Sequence, residues 1–97
     1  MTTKHTPGPW IAHSSGDGFI FIERDFGNGK AHPEWIVASI QSYQKEDVTN
    51  ARLIAAAPEL LAALQTLCAS LEWEEKRSGT TYAGYESARA ALAKVNP

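Results

Sequence analysis

Three histidines, His5, His13 and His32, and one thiol, Cys68, are the side chains in this sequence best suited to metal binding or nucleophilic attack. Zinc sites draw about four N, S or O ligands together, usually in closely spaced pairs. No two of these histidines stand at i and i+4, and Cys68 lies among leucines, where an apolar setting makes a thiol inert. Ser14 and Ser15 have no Gly-x-Ser-x-Gly elbow around them. Glu23, Asp25 and Glu34 are acids able to exchange protons, but no spacing singles out a pair. The segment Ser14-Ser15-Gly16-Asp17-Gly18 is glycine-rich, yet neither a Lys-Ser/Thr pair nor a helix follows it, as a phosphate cradle requires. The residues therefore call for no metal, no cofactor and no catalytic set, and the expected class is non-enzymatic.

Binding chemistry is better represented. Trp10 and Trp35 offer stacking faces, and Arg24 and Lys30 offer positive charge, which together would suit a nucleotide-like ligand. Trp73 with Glu74, Glu75, Lys76, Arg77 and Tyr82 forms an aromatic and charged patch near one helix end; the alternative is that Trp73 and Tyr82 fold back on the helix pair and the charges are solvated. Trp, Tyr and Arg are the residues that dominate protein-binding hot spots. Nucleic acid is not an expected partner. The net charge is −2, and the nine Lys and Arg are spread from Lys4 to Lys94 rather than gathered on a stripe.

Composition places these residues on a folded domain. Hydrophobic residues make up 43% and charged residues 21%, ordinary values for a packed chain. A single domain over residues 1–97 is expected. No apolar run approaches the roughly 18 residues of a membrane span. The amino-terminal residues lack the apolar core of a secretion signal, and one cysteine cannot close an internal disulfide. A cytoplasmic protein is expected, with no membrane partner.

Residues 1–9 form an extended lead-in, because Pro7 and Pro9 fix φ and remove donors. Three strands follow over residues 10–41. The first runs Trp10–His13, with Trp10 closing the edge of the core. Phe19–Phe26 is β-branched and aromatic, with Phe19 and Phe21 on one face and Ile20 and Ile22 on the other. In Trp35–Gln41, Trp35 and Val37 face one way and Ile36, Ala38 and Ile40 the other. Asp-Gly and Asn-Gly mark the turns between them, so neighbours pair antiparallel. The middle strand is apolar front and back and needs cover on both sides. With few residues left to build two layers, a second copy of the chain is the expected cover, giving a homodimer.

Helices occupy residues 47–95. Asp47, Thr49 and Asn50 are the candidate caps of a first helix reaching Ala57, with Ala51, Ile54 and Ala55 buried. Pro58 suits the first turn of a second helix that runs to about Lys76, the alternative being one helix kinked at this proline. Leu60, Leu61, Leu64, Leu67, Cys68 and Leu71 recur three and four apart and read as its buried side. Gly79 ends it. A last helix runs from about Tyr82 to Val95, capped by Thr80 or Thr81, with Tyr85, Ala88, Leu92 and Val95 inward. Runs of strands followed by runs of helices make the fold α+β: a three-stranded antiparallel meander with three α-helices packed on it.

Three blocks of this chain, HTPGPW (His5–Trp10), NARLIAAAPELLAAL (Asn50–Leu64) and ARAALAK (Ala88–Lys94), resemble a group of small proteins encoded by tailed bacteriophages and prophages. Ile11–Gln44 carries no comparable motif. The resemblance brings no catalytic residue with it. It implies phage origin and genomic context, and through that context an accessory role with a host-defence system as one target. The two-faced sheet and the missing catalytic set make protein–protein interaction with a host or phage protein the expected mode, and the stacking and cationic residues above make a nucleotide-like ligand the alternative.

Overall fold

In a computed structural model, residues 5–30 and 32–95 are described. The first four residues of the lead-in, Ala31 in the second connection and Asn96-Pro97, which the sequence offers as a stop after the last helix, lie outside them. The elements are β1 (Trp10–Ser14), β2 (Phe19–Arg24), a 3-10 turn (Pro33–Trp35), β3 (Ile36–Gln41), α1 (Lys45–Ala55), α2 (Ala57–Ser78) and α3 (Tyr85–Val95). The chain divides into two compact units, Thr2–Glu59 and Leu60–Pro97.

In the first unit the three strands form one antiparallel sheet in the order β1-β2-β3. Hairpin geometry sets the register. The Ser15 N–H donates to the Phe19 carbonyl at 3.1 Å, and Gly16 and Gly18 take the positive φ values, 81° and 92°, that the turn between them requires. Trp10, Ala12 and Ser14 then stand opposite Arg24, Ile22 and Ile20. On β3, Ile40 and Ala38 stand opposite Ile20 and Ile22. These even positions of β2 build the core: Ile20, Ile22 and Ala51 of α1 are buried, packed by Trp10, Ala12, Val37, Ala38, Ile40, Ile54 and Ala55. The inward stripe expected for the first helix is therefore the one α1 uses. On the opposite face Phe19 and Phe21 are half-buried, their rings stacked 6.1 Å apart.

Three strand boundaries differ from the sequence reading. β1 runs one residue further, to Ser14. β2 ends at Arg24, and Trp35 belongs to a 3-10 turn ahead of β3. The facing of β3 also differs: Val37 joins Ala38 and Ile40 in the core while Ile36 is exposed. A register shift explains it. Ala38 stands opposite Ile22 but Ile36 opposite Glu23, so Val37 is an extra residue on β3. A β-bulge of this kind breaks the two-residue alternation locally.

α1 begins at Lys45, earlier than its candidate caps suggest. Asp47 lies inside the first turn, and its Oδ2 accepts the N–H groups of Tyr43 and Gln44 at 2.9 and 3.0 Å. Thr49 and Asn50 are inside the helix. The helix breaks at Ala56, whose N–H still reaches the Arg52 carbonyl at 3.0 Å, and α2 starts at Ala57. Pro58 therefore occupies the first turn of α2, where its missing N–H costs nothing.

Gly8 is packed against that proline. A Cβ on Gly8 would lie 2.8 Å from Pro58 Cβ and 3.2 Å from its Cγ. Both are ring atoms that cannot swing aside. Gly8→Ala is accordingly expected to cost about 1–3 kcal/mol through overpacking. A thermal melt followed by circular dichroism reads this as a lowered midpoint, and an unchanged midpoint would mean that the lead-in is not held against the helix.

The second unit contains α2 from Leu60 onward, and α3. Leu61, Leu64 and Leu71 are half-buried and Cys68 is buried, on the same unit as buried Tyr85 and half-buried Ala88 and Leu92. The expected leucine face is only partly inward: Leu60 and Leu67 are 52% and 55% exposed. At 100° per residue these two lie well round the helix from Cys68. Val95 is also exposed. Gly79, at φ 74°, ends α2, its N–H bonded to the Glu75 carbonyl at 2.8 Å. α3 begins at Tyr85 rather than Tyr82, because Gly84 takes a left-handed φ of 84° that interrupts the helix before it. Thr80 does not cap it; its N–H donates to Ser78 Oγ at 3.3 Å. Glu72–Lys76 (3.1 Å) and Glu86–Arg89 (3.3 Å) form the helix-face ion pairs expected of their spacing.

Candidate functional site

The register brings three aromatic or cationic residues to one end of the sheet. Trp10 opens β1, Arg24 closes β2 directly opposite it, and Trp35 immediately precedes β3. The Arg24 guanidinium lies 5.4 Å from the Trp35 ring centre and 4.9 Å from that of Phe26. Phe26 and Trp35 meet edge to face at 5.7 Å, and His32 stands 4.5 Å from Phe26. Among the described residues, no carboxylate forms an ion pair with Arg24. A guanidinium held on two rings keeps its in-plane donors available for an acceptor.

The connection that carries Phe26, His32 and Trp35 is shaped by its own polar side chains. Asp25 Oδ1 accepts the Gly27 N–H at 2.8 Å and Asn28 Oδ1 accepts the Lys30 N–H at 3.0 Å. Such turns are the local habit of Asp and Asn. Asn28 Oδ1 also lies 3.3 Å from His32 Nε2. Trp10 is fixed separately: its indole N–H donates to the Thr6 carbonyl at 3.1 Å and its ring meets His5 edge-on at 6.0 Å. Trp10 also walls a groove of about 660 Å³ between β1 and α1, with Ala12, Val48, Ala51 and Ala55.

Beside this cluster is a pair that composition alone does not single out. Glu23 is 3% exposed, and its Oε1 lies 2.9 Å from His13 Nε2 and accepts the His32 N–H at 3.3 Å. Glu34 lies 3.5 Å from the other side of the connection's histidine, at His32 Nδ1. The signal for the Glu23–His13 pair is parity: with the hairpin turn between Ser15 and Phe19, odd-numbered His13 and Glu23 fall on the same face. A carboxylate that orients a histidine is half of a nucleophilic triad. No serine, threonine or cysteine among the described residues hydrogen-bonds to His13. Nor, among those residues, do three His, Cys, Asp or Glu side chains gather as metal ligands. The arrangement can hold an anionic or aromatic group. It contains no nucleophile poised to attack one.

The second expected patch is assembled only in part. Arg77 lies over the Trp73 ring at 5.0 Å and pairs with Glu74 at 2.9 Å. Lys76 is taken up by Glu72, and Tyr82 is half-buried in the turn before α3. Trp73 is 61% exposed. Elsewhere in this unit, Gln65, Cys68, Glu72, Tyr85, Arg89 and Leu92 line a cleft of about 470 Å³ between α2 and α3. Burial there raises the Tyr85 phenol above its ordinary value of 10.0. The Glu72 carboxylate adds to this and the Arg89 cation opposes it.

No single helix among the described residues is long and apolar enough to cross a membrane. The family model described as Salmonella phage P22 protein Y8K6 matches residues 1–96. No curated protein and no solved structure matches the chain.

Proposed function

The chain belongs to the family of Salmonella phage P22 protein Y8K6, and on that premise we propose that it is a non-enzymatic accessory protein that works in the host cytoplasm by binding another protein at the end of its sheet. The observation that supports this most directly is the Arg24 guanidinium lying over Phe26 and Trp35 with no acidic partner among the described residues. Rigid aromatics with an arginine between them are the composition of a binding hot spot. Phage origin favours a host protein as the partner, with proteins of host-defence systems the leading class.

A second reading is favoured by the same geometry. The Arg24–Trp35 pair, with exposed Lys30 nearby in the chain, would also suit a nucleotide-like ligand, the ring of Trp35 stacking on the base and the cations meeting phosphate.

The two readings separate in one pair of measurements. Affinity capture from phage-infected cells with tagged wild-type protein is expected to recover a protein that Arg24→Ala and Trp35→Ala fail to retain. Each substitution is expected to weaken the complex about tenfold or more, the range of an anchor residue. Thermal-shift screening with nucleotides and cyclic nucleotides is expected to leave the melting midpoint unchanged. A ligand-dependent rise that Arg24→Ala removes, with no captured protein sensitive to these substitutions, would replace the first reading by the second.

A further inference from the structure

From the outward face of α2 we infer that a second copy of this chain docks there, antiparallel, about a two-fold axis at the level of Cys68. Leu60, Ala63, Thr66, Leu67, Ser70 and Trp73 are all exposed on this helix. The strip is closed at one end by Glu59, an acid in the first turn, and at the other by Arg77, in the last.

A helix laid against itself head to tail, with Cys68 level with Cys68, sets specific residues opposite one another. Glu59 meets Arg77 of the second copy, and each pair occurs twice. The bulky Trp73 falls opposite the small Ala63, and Thr66 falls opposite Ser70. Leu67 sits beside the axis opposite Ala69, about 3 Å along the helix from its own counterpart. Charge and size are thus both self-complementary in one register, as an isologous contact requires. A parallel arrangement would instead set Glu59 beside Glu59 and Arg77 beside Arg77, which like-charge repulsion opposes. The helix dipoles favour the same antiparallel choice, each negative end lying beside a positive one. Arg77 lies over the Trp73 ring at 5.0 Å and pairs with Glu74 of its own helix at 2.9 Å, and in the dimer the facing Glu59 would join that pair. This interface is independent of what the sheet end binds.

Sedimentation velocity on the full chain tests it. At about 200 μM, where a complex of micromolar Kd is largely formed, the wild type is expected to sediment as a dimer. Leu67→Glu places a charge beside the axis and is expected to weaken the dimer at least about thirtyfold. Its circular dichroism should not change, since Leu67 is exposed. Glu59→Lys and Arg77→Glu should each weaken self-association about tenfold, because each variant sets like charges face to face in both of its pairs. Mixed in equal amounts, these two variants should regain association. In the mixed dimer the two exchanged charges face each other at one end, and the native Arg77 and Glu59 face each other at the other. A wild type that stays monomeric at that concentration overturns the inference. So does a dimer indifferent to Leu67→Glu, or a mixture of the two charge variants that associates no better than either alone.

Discussion

Ile22→Ala is expected to lower stability by about 3–5 kcal/mol, the upper part of the range for a buried Ile truncated to Ala. Ile22 is fully buried, at 0% exposure. Its cross-strand neighbours are Ala12 on β1 and Ala38 on β3. One large side chain thus fills a row whose other two members are methyl groups. With Ala at 22 the whole row becomes alanine, and neither strand has volume to give back. Ala51 of α1, buried in the same cluster, is equally small. Since a chain of this length is held by roughly 5–15 kcal/mol in all, this one change removes a large share. The thermal midpoint should fall by about 15 °C or more, at roughly 4–8 °C per kcal/mol for a small domain. Tyr43→Ala, at a side chain that is 78% exposed, should stay within about 0.5 kcal/mol of the parent. A melt of Ile22→Ala within a few degrees of wild type would mean that the sheet and α1 do not share the core described above.

The second large effect lies at Glu23. Its carboxylate is out of water and depends on His13 and the His32 N–H for partners. His13→Ala removes one of them and leaves an under-satisfied buried charge, at an expected cost of about 2 kcal/mol. Half-exposed His13 keeps this below the full cost of breaking a wholly buried pair. Adding Glu23→Gln to His13→Ala should recover about 1 kcal/mol. The amide carbonyl still accepts the His32 N–H, and a neutral group needs no counter-charge. Urea unfolding of the two single variants and the double variant gives the cycle. A double variant no more stable than His13→Ala would locate the cost in lost packing around the imidazole instead.

Element order is legible from the sequence because its punctuation is strong. Asp17-Gly18 and Asn28-Gly29 separate the strands, Pro58 marks the helix break, and Gly79 closes α2. What escapes is information that lives between elements. The extra residue at Val37 is a property of the pairing of β2 with β3, and no pattern within Ile36–Gln41 announces it. The leucines of α2 mislead for another reason. Leu and Ala occupy nearly the whole circumference, so spacing alone cannot tell the arc that packs inward from the arc that bears Leu60 and Leu67. Trp10, Arg24 and Trp35 are individually visible as binding residues, and Arg24 with Trp35 does come together. That all three reach one end of the sheet follows from register, as does the pairing of His13 with Glu23.

The simple succession of the strands, each paired with its neighbour in sequence, has a consequence in time. Ordering such a meander closes only short loops, and little chain entropy stands between the coil and the first native pairs. α1 follows directly and brings Ala51, Ile54 and Ala55 onto the ribbon. Every residue of that nucleus lies ahead of Ala56, so it can condense while the carboxy-terminal helices are still within the ribosome. The β-structure can therefore close before translation has released α2 and α3.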